Sequence, residues 1–200
     1  MLVLISGPSG CGKTTIIRQI VGEHPEYIMA HSTTTRAMRL KDNESQGNPY
    51  HFVDNDTFDR MVAKGEFFEW NNVHDNRYGL TMDYIELAKK PDVCVIKDID
   101  VEGHMTYLEK LKDTEVDVFS VYIGVAPDVL TERLIKRGDE FENIKLRLSR
   151  QKFENSFAKN YDFVVQNVDR PDSKMIAKCV EYKIQEIMDS HKEENTSVKM

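Results

Sequence analysis

Short apolar runs alternate along the chain with amphipathic stretches. LVLIS (2–6) is apolar up to a final serine before a glycine, the pattern of a strand buried in a parallel sheet. From Lys13 the apolar residues Ile16, Ile17, Ile20 and Val21 recur at helical spacing, so a strand, a glycine loop and a helix follow in order. VCVI (93–96) and VFSVYIGV (118–125) read as further strands, alternating with helical segments such as 127–136. That order implies βαβ units and an α/β fold whose parallel sheet is flanked by helices. In the last helix Met175, Ile176, Cys179, Val180, Ile184, Ile187 and Met188 are expected on one core-facing stripe.

Residues 31–82 follow a different pattern. Aromatic-rich pieces, YHFV (50–53) and EFFEW (66–70), are separated by turns and one short helix, which reads as a small, mostly β insertion. The charge-dense stretch 137–147, RGDEFENIKLR, is either a lid or a solvated junction between two helices. The expected organisation is a single domain over 1–190, with a core of 1–30 and 83–190, an insertion at about 31–82, a lid at about 137–147 and a polar tail at 191–200.

With 200 residues, 40% of them hydrophobic, the chain has enough apolar mass for a full core. A formal charge of −7 argues against non-specific binding to nucleic acid, while leaving room for a local basic site. Cys11, Cys94 and Cys179 lie far apart without metal-ligand spacing, which suits a reduced compartment and not a zinc site. No basic segment precedes the first apolar run and no apolar stretch reaches the roughly 18 residues of a membrane span. A cytoplasmic protein without membrane or nucleic-acid partners is the expectation, either monomer or homodimer.

The stretch GPSGCGKTT, from Gly7 through Pro8, Ser9, Gly10, Cys11, Gly12, Lys13 and Thr14 to Thr15, matches the phosphate-binding loop G-x-x-x-x-G-K-[ST]. Glycines let successive backbone N–H groups turn toward phosphate oxygens, and the helix that follows adds the positive end of its dipole. Lys13 would reach the β- and γ-phosphates, and the Thr14 hydroxyl would ligate Mg²⁺. This identifies a phosphoryl donor such as ATP and leaves the acceptor open.

HSTTTRAMR (31–39) brings Arg36 and Arg39 within three residues, and two convergent guanidinium forks match a phosphate dianion. Tyr50 and Tyr78 would add hydroxyl donors. Either arginine alone would be read as a surface ion pair. Strict alternation over EFFEW places Glu69 on the face opposite Phe68 and Trp70, where it is either solvent-exposed or turned to a pocket that accepts guanine N1–H and N2–H. In KDIDVEG (97–103) Asp98 and Asp100 share one face at a strand's C-terminal end. They either approach the Mg²⁺ shell or acceptor, or cap the next helix.

These motifs, with EFFEWNNVHDNRYG, DIDVEG, ERLIKRG, IKLRL and YDFVVQN, resemble the guanylate kinases in order along nearly the whole chain. The resemblance implies a P-loop three-layer fold and phosphorylation of GMP or dGMP by ATP with Mg²⁺. It implies that Arg36, Arg39, Tyr50 and Tyr78 hold the GMP phosphate, that Ser32 faces guanine O6, and that Glu69 with Asp100 takes the N1/N2 edge. By the same resemblance Arg133, Arg137 and Arg147 match basic positions round the transferring phosphoryl group and Asn167 matches a residue near the adenine; Asp98, from its place at the strand end, is expected to serve catalysis and to reach Mg²⁺ through water. Departures are the loss of a proline after Arg36 and of a Gly-Glu pair after Arg39, a longer loop to Tyr50, and Leu80 followed by Thr81 where a hydroxyl normally follows Tyr78-Gly79. Asp42 or Glu44 is expected to replace the missing glutamate. The rival readings are a P-loop kinase of another small phosphorylated acceptor and a guanylate-kinase-like protein-interaction module.

Overall fold

All five residues of the first strand, β1 (Leu2–Ser6), are buried, because its two faces serve two different cores. Leu2 and Leu4 join Val95, Tyr107 and Leu111 on one side, while Val3 and Ile5 join Ile16, Ile20, Ile96 and Val180 on the other. Successive side chains of a strand point to opposite faces, so a strand covered on both sides is apolar at nearly every position.

The computed structural model describes residues 1–39, 44–73, 75–168 and 172–197. After β1 come α1 (Lys13–Glu23) and β2 (Ile28–Met29). The middle of the chain forms β3 (Thr33–Thr34), β4 (Ser45–Gln46), β5 (Pro49–Phe52), α2 (Asn55–Ala63), β6 (Phe67–Val73) and β7 (Asn76–Thr81). The remainder adds α3 (Met82–Ala88), β8 (Val95–Asp98), α4 (Val101–Leu111), β9 (Val118–Gly124), α5 (Pro127–Arg137), α6 (Phe141–Asn155), β10 (Phe163–Gln166) and α7 (Asp172–Ser197).

Five strands in the order β10-β9-β1-β8-β2 form a sheet that is parallel at every pairing. Residues of α1, α5, α6 and α7 cover one face, and residues of α3 and α4 cover the other. This is the three-layer arrangement expected from the alternating pattern. β8 starts at Val95, later than the apolar run suggests, because its partner β1 begins with Leu2 opposite Val95. The apolar stripe of α7 also differs from expectation. Ile176, Ala177, Val180, Ile184 and Met188 are buried, whereas Met175 is exposed and Cys179 lies on the solvent side. Burial at 176, 180, 184 and 188 follows a four-residue step, which turns 175 and 179 away from the sheet.

A second sheet, ordered β4-β5-β3-β7-β6, comes wholly from the middle of the chain. The strand β3 pairs parallel with β5 and antiparallel with β7. The Asp54 carboxylate caps α2 by accepting from Thr57 N at 2.7 Å. The helix lays Phe58 against Phe67 and Trp70, with ring centroids 4.5 and 6.0 Å away. One irregularity matters below. Phe67 stands opposite Thr81 and Glu69 opposite Leu80, so Phe68 is an extra residue in β6.

Candidate active site

The loop from β1 to α1 passes so close to β9 that a Cβ on Gly7 would lie 2.2 Å from the Ile123 carbonyl oxygen; its φ of 146° also suits glycine. Gly12 begins the helix at φ 105°, and a Cβ there would meet Asn167 Nδ2 at 2.7 Å. The Lys13 ammonium folds back on this loop and donates to the carbonyls of Gly7 at 2.6 Å and Pro8 at 3.3 Å. Beneath it, Arg133 donates to Cys11 O and to Asn167 Oδ1, each at 3.1 Å, and Asn167 Nδ2 donates to Cys11 O at 2.6 Å. Arg133 and Asn167 thus fasten the loop from α5 and from the end of β10. The Cys11 side chain is wholly buried, and burial pushes its thiol up from the ordinary value.

A cleft of about 1410 Å³ opens at the C-terminal ends of the parallel strands, the usual ligand position in such sheets. Ser9, Lys13, Thr14 and Thr15 line one end, and Ser32, Tyr50 and Tyr78 line the other. Asp98, at the end of β8, lies between them on the wall, with the Thr14 hydroxyl near enough to favour its charged form. Burial raises its carboxyl above the ordinary value, against the opposing pull of Lys13 and Lys97. Asp100 also lines the cleft and caps α4, accepting from Gly103 N at 2.7 Å. The two aspartates therefore differ in role: Asp98 faces Thr14, and Asp100 has one oxygen tied into a helix start.

At the far end the Tyr50 and Tyr78 rings meet edge to face, 5.6 Å apart, with the Arg36 guanidinium 5.4 Å over the Tyr50 ring. Arg36 donates to Glu44 Oε1 at 2.7 Å, and Glu44 Oε2 accepts from Arg39 N at 2.7 Å. Glu44 is thus the carboxylate that organises this arginine pair and holds Arg36 above its ordinary pKa; Asp42 lies outside the described residues. The Arg39 side chain is exposed. Neither arginine is on the cleft wall, and the Arg36 guanidinium lies over the rings of Tyr50 and Phe52.

Glu69 does not follow strict alternation. The extra residue in β6 lets Phe68 and Glu69 both reach α4: the Phe68 ring lies 5.0 Å from that of Tyr107, and the Tyr107 hydroxyl donates to Glu69 Oε1 at 3.2 Å. Phe67 and Trp70 turn instead to Phe58. Asn71 donates to the other oxygen of Glu69 at 3.3 Å. Opposite it, Leu80 is fully buried in the core with Leu2, Leu4 and Tyr107 and takes no part in the cleft wall.

The α5–α6 side of the cleft carries the other arginines. Arg137 grips both oxygens of Asp139, Arg147 approaches Asp139 at 3.2 Å, and Arg147 also donates to the Ser9 hydroxyl of the phosphate loop. Arg137 draws the Asp139 carboxyl below its ordinary value.

The sequence model described as guanylate kinase matches residues 1–182. The chain belongs to the guanylate kinase family. It is 35% identical over 189 residues to a guanylate kinase of Helicobacter hepaticus, covering 93% of this chain and 92% of that one. To a guanylate kinase of Rhodopseudomonas palustris it is 40% identical over 170 residues, 84% of this chain and 74% of the other. The crystal structure of guanylate kinase from Anaplasma phagocytophilum superposes with a TM-score of 0.68 at 26% identity, covering 94% of this chain and 85% of that one.

Around one cleft, this family member gathers the phosphate loop, Asp98, Asp100, Ser32, Tyr50, Tyr78, Arg133, Arg137, Arg147 and Asn167. Three further groups escaped the sequence reading. Lys97 lines the cleft and donates to Ser32 Oγ at 2.8 Å, with burial lowering its ammonium from the ordinary value. Asp139 clamps Arg137. Arg150 lines the cleft and pairs with Glu154 and Glu102, each at 3.3 Å. In the sequence Lys97 shows as a charge inside a strand that is otherwise apolar up to Asp98, and Asp139 only as one of the charges of 137–147.

Proposed function

We propose that this chain transfers the terminal phosphoryl group of ATP to GMP or dGMP. The observation that carries the reading is a single cleft with an intact phosphate loop at one end and Ser32, Tyr50 and Tyr78 at the other. The acceptor's phosphate already bears a nucleophilic oxygen at neutral pH, so the protein needs no general base. Its work is alignment and charge stabilisation. In this reading Lys13 leaves the Gly7 and Pro8 carbonyls for the donor's phosphates, and Arg133, Arg137 and Arg147 converge on the transferring group. Arg36, Arg39, Tyr50 and Tyr78 hold the acceptor phosphate, and Glu69 accepts from guanine N1–H and N2–H. Asn167 stands by the donor's base. Closure of 137–147 and of 31–82 over the core excludes water, which would otherwise take the phosphate.

The donor set fits Mg²⁺: the Thr14 hydroxyl and the Asp98 carboxylate both line the cleft and would supply oxygen donors, and a hard cation that keeps its waters needs only one or two such groups beside the phosphates. When bound, the ion would neutralise charge on the donor's phosphate oxygens. An intact Lys13 and Thr14 also speak for an enzyme over a pure interaction module. Among the described residues no helix is long and apolar enough to cross a membrane, in keeping with a cytoplasmic setting, and assembly as monomer or homodimer completes the reading.

A coupled assay of ADP release tests the proposal. GMP-dependent ADP formation with little response to AMP is the expected result. Turnover with another phosphorylated acceptor and none with GMP would replace it.

A further inference from the structure

The reaction above makes no use of Lys97. On β8 it stands opposite Leu4 of β1, and strand alternation turns it to the face that carries Leu80 and Tyr107, while its neighbour Asp98 faces Thr14. The side chain is almost fully covered, yet it lines the cleft. Its ammonium donates to Ser32 Oγ at 2.8 Å and makes no ion pair among the described residues. An ammonium has three N–H donors, so further donors remain for a ligand. Glu69, Asp98 and Asp100 attract it through space. A buried cation is costly unless its hydrogen bonds are met.

We propose that Lys97 is a specificity-determining residue that donates to the six-position oxygen of the acceptor purine, together with Ser32. The inference rests on the reading of GMP as acceptor. Guanine presents an acceptor at position six and donors at N1 and N2. A cation beside O6 and the Glu69 carboxylate beside N1 and N2 match that edge. Adenine reverses it, setting an amino group against the ammonium and a ring lone pair against the carboxylate. Discrimination therefore comes from repulsion of the wrong base as well as attraction of the right one. Leu80 offers no hydroxyl to the cleft, and Lys97 approaches the base from the main sheet instead of the second one. The Lys97–Ser32 bond ties β8 to the segment that leads from β2 of the main sheet into β3 of the second.

The test compares kcat/KM for GMP, 6-thio-GMP and AMP in the wild type, Lys97→Met and Lys97→Gln, with ATP and Mg²⁺ saturating. Sulfur is a poor acceptor, so the wild type favours GMP over its 6-thio analogue. Lys97→Met is expected to lose roughly 10- to 100-fold on GMP while the KM for ATP stays within about twofold. In that variant the preference for GMP over 6-thio-GMP collapses toward unity, and discrimination against AMP narrows. Lys97→Gln keeps a neutral amide donor with two N–H bonds and restores part of the preference; it carries the same comparison if the methionine variant does not fold. Should both substitutions lower all three acceptors by a common factor, or leave the oxygen-to-sulfur preference intact, Lys97 does not read the base. Absence of turnover with GMP in the wild type would instead remove the acceptor assignment and this inference with it.

Discussion

Asp139 holds Arg137 at two points, accepting from Nε at 2.6 Å and from Nη2 at 2.5 Å, and the same carboxylate draws in Arg147. Both arginines must exchange this anion for a phosphate if they act in transfer. Exposed pairs are worth up to about 1 kcal/mol, so Asp139→Asn should lower the KM for ATP by about two- to fivefold. The melting temperature should barely move. Initial rates against ATP concentration provide the check, and an unchanged or higher KM would show that the clamp orients the arginines instead of competing for them.

Lys13→Ala should abolish transfer without unfolding the protein. Among the described residues Lys13 bonds only to carbonyls of its own loop and belongs to none of the hydrophobic clusters, so its loss leaves the core intact. A rate down at least about a hundredfold with an unchanged circular dichroism spectrum is expected.

Arg36→Ala should weaken GMP far more than ATP, by the about 1.5–3 kcal/mol of a charge-assisted contact, and Arg39→Ala should act the same way. Glu44→Gln is a milder version of the same lesion, because it frees Arg36 and the Arg39 backbone from one carboxylate. Titration calorimetry with GMP and with a non-hydrolysable ATP analogue separates the two ends of the cleft. Equal losses for both ligands would move the arginines to the donor side.

Leu80→Ser is expected to destabilise the protein by about 2–5 kcal/mol, since it removes a fully buried side chain and leaves a hydroxyl in an apolar core. The KM for GMP should not improve. Urea denaturation and steady-state kinetics decide; a lower KM with unchanged stability would mean that position 80 reaches the base after all.

His24 gives a pH prediction. Its ring nitrogens lie 2.9 Å from Glu181 and 2.8 Å from Glu26, and these carboxylates raise its pKa, tying the end of α1 to α7. Because the folded pKa exceeds the unfolded value of about 6.5, the contribution is fully present below that value and fades as pH rises through the folded pKa. His24→Gln should therefore cost more stability near pH 6 than near pH 9. Thermal melts across that interval test the slope.

The fold was legible because its signals are local: β1 and α1 announce themselves by periodicity, and the phosphate loop by spacing within nine residues. The Lys97–Ser32 bond spans 65 positions and the Tyr107–Glu69 bond spans 38, and no local pattern encodes either. The sequence offers Asp42 and Glu44 equally as a replacement carboxylate, and only the bond from Arg36 singles out Glu44. Leu80 misled because a hydroxyl was expected at its position, whereas its register opposite Glu69 directs it into the core. The stripe of α7 was drawn too wide because apolarity alone cannot say which side of a helix meets the sheet.

The extra residue at Phe68 makes the placement of Glu69 a matter of reading frame along the strand. Deleting that one residue would restore a regular ladder and carry the carboxylate away from Tyr107, although no side chain in contact with it had been exchanged. Point substitutions cannot make that move. A lineage descended from this chain can drift freely in the chemistry of its aromatic neighbours, yet it can relocate Glu69 only through an insertion or a deletion.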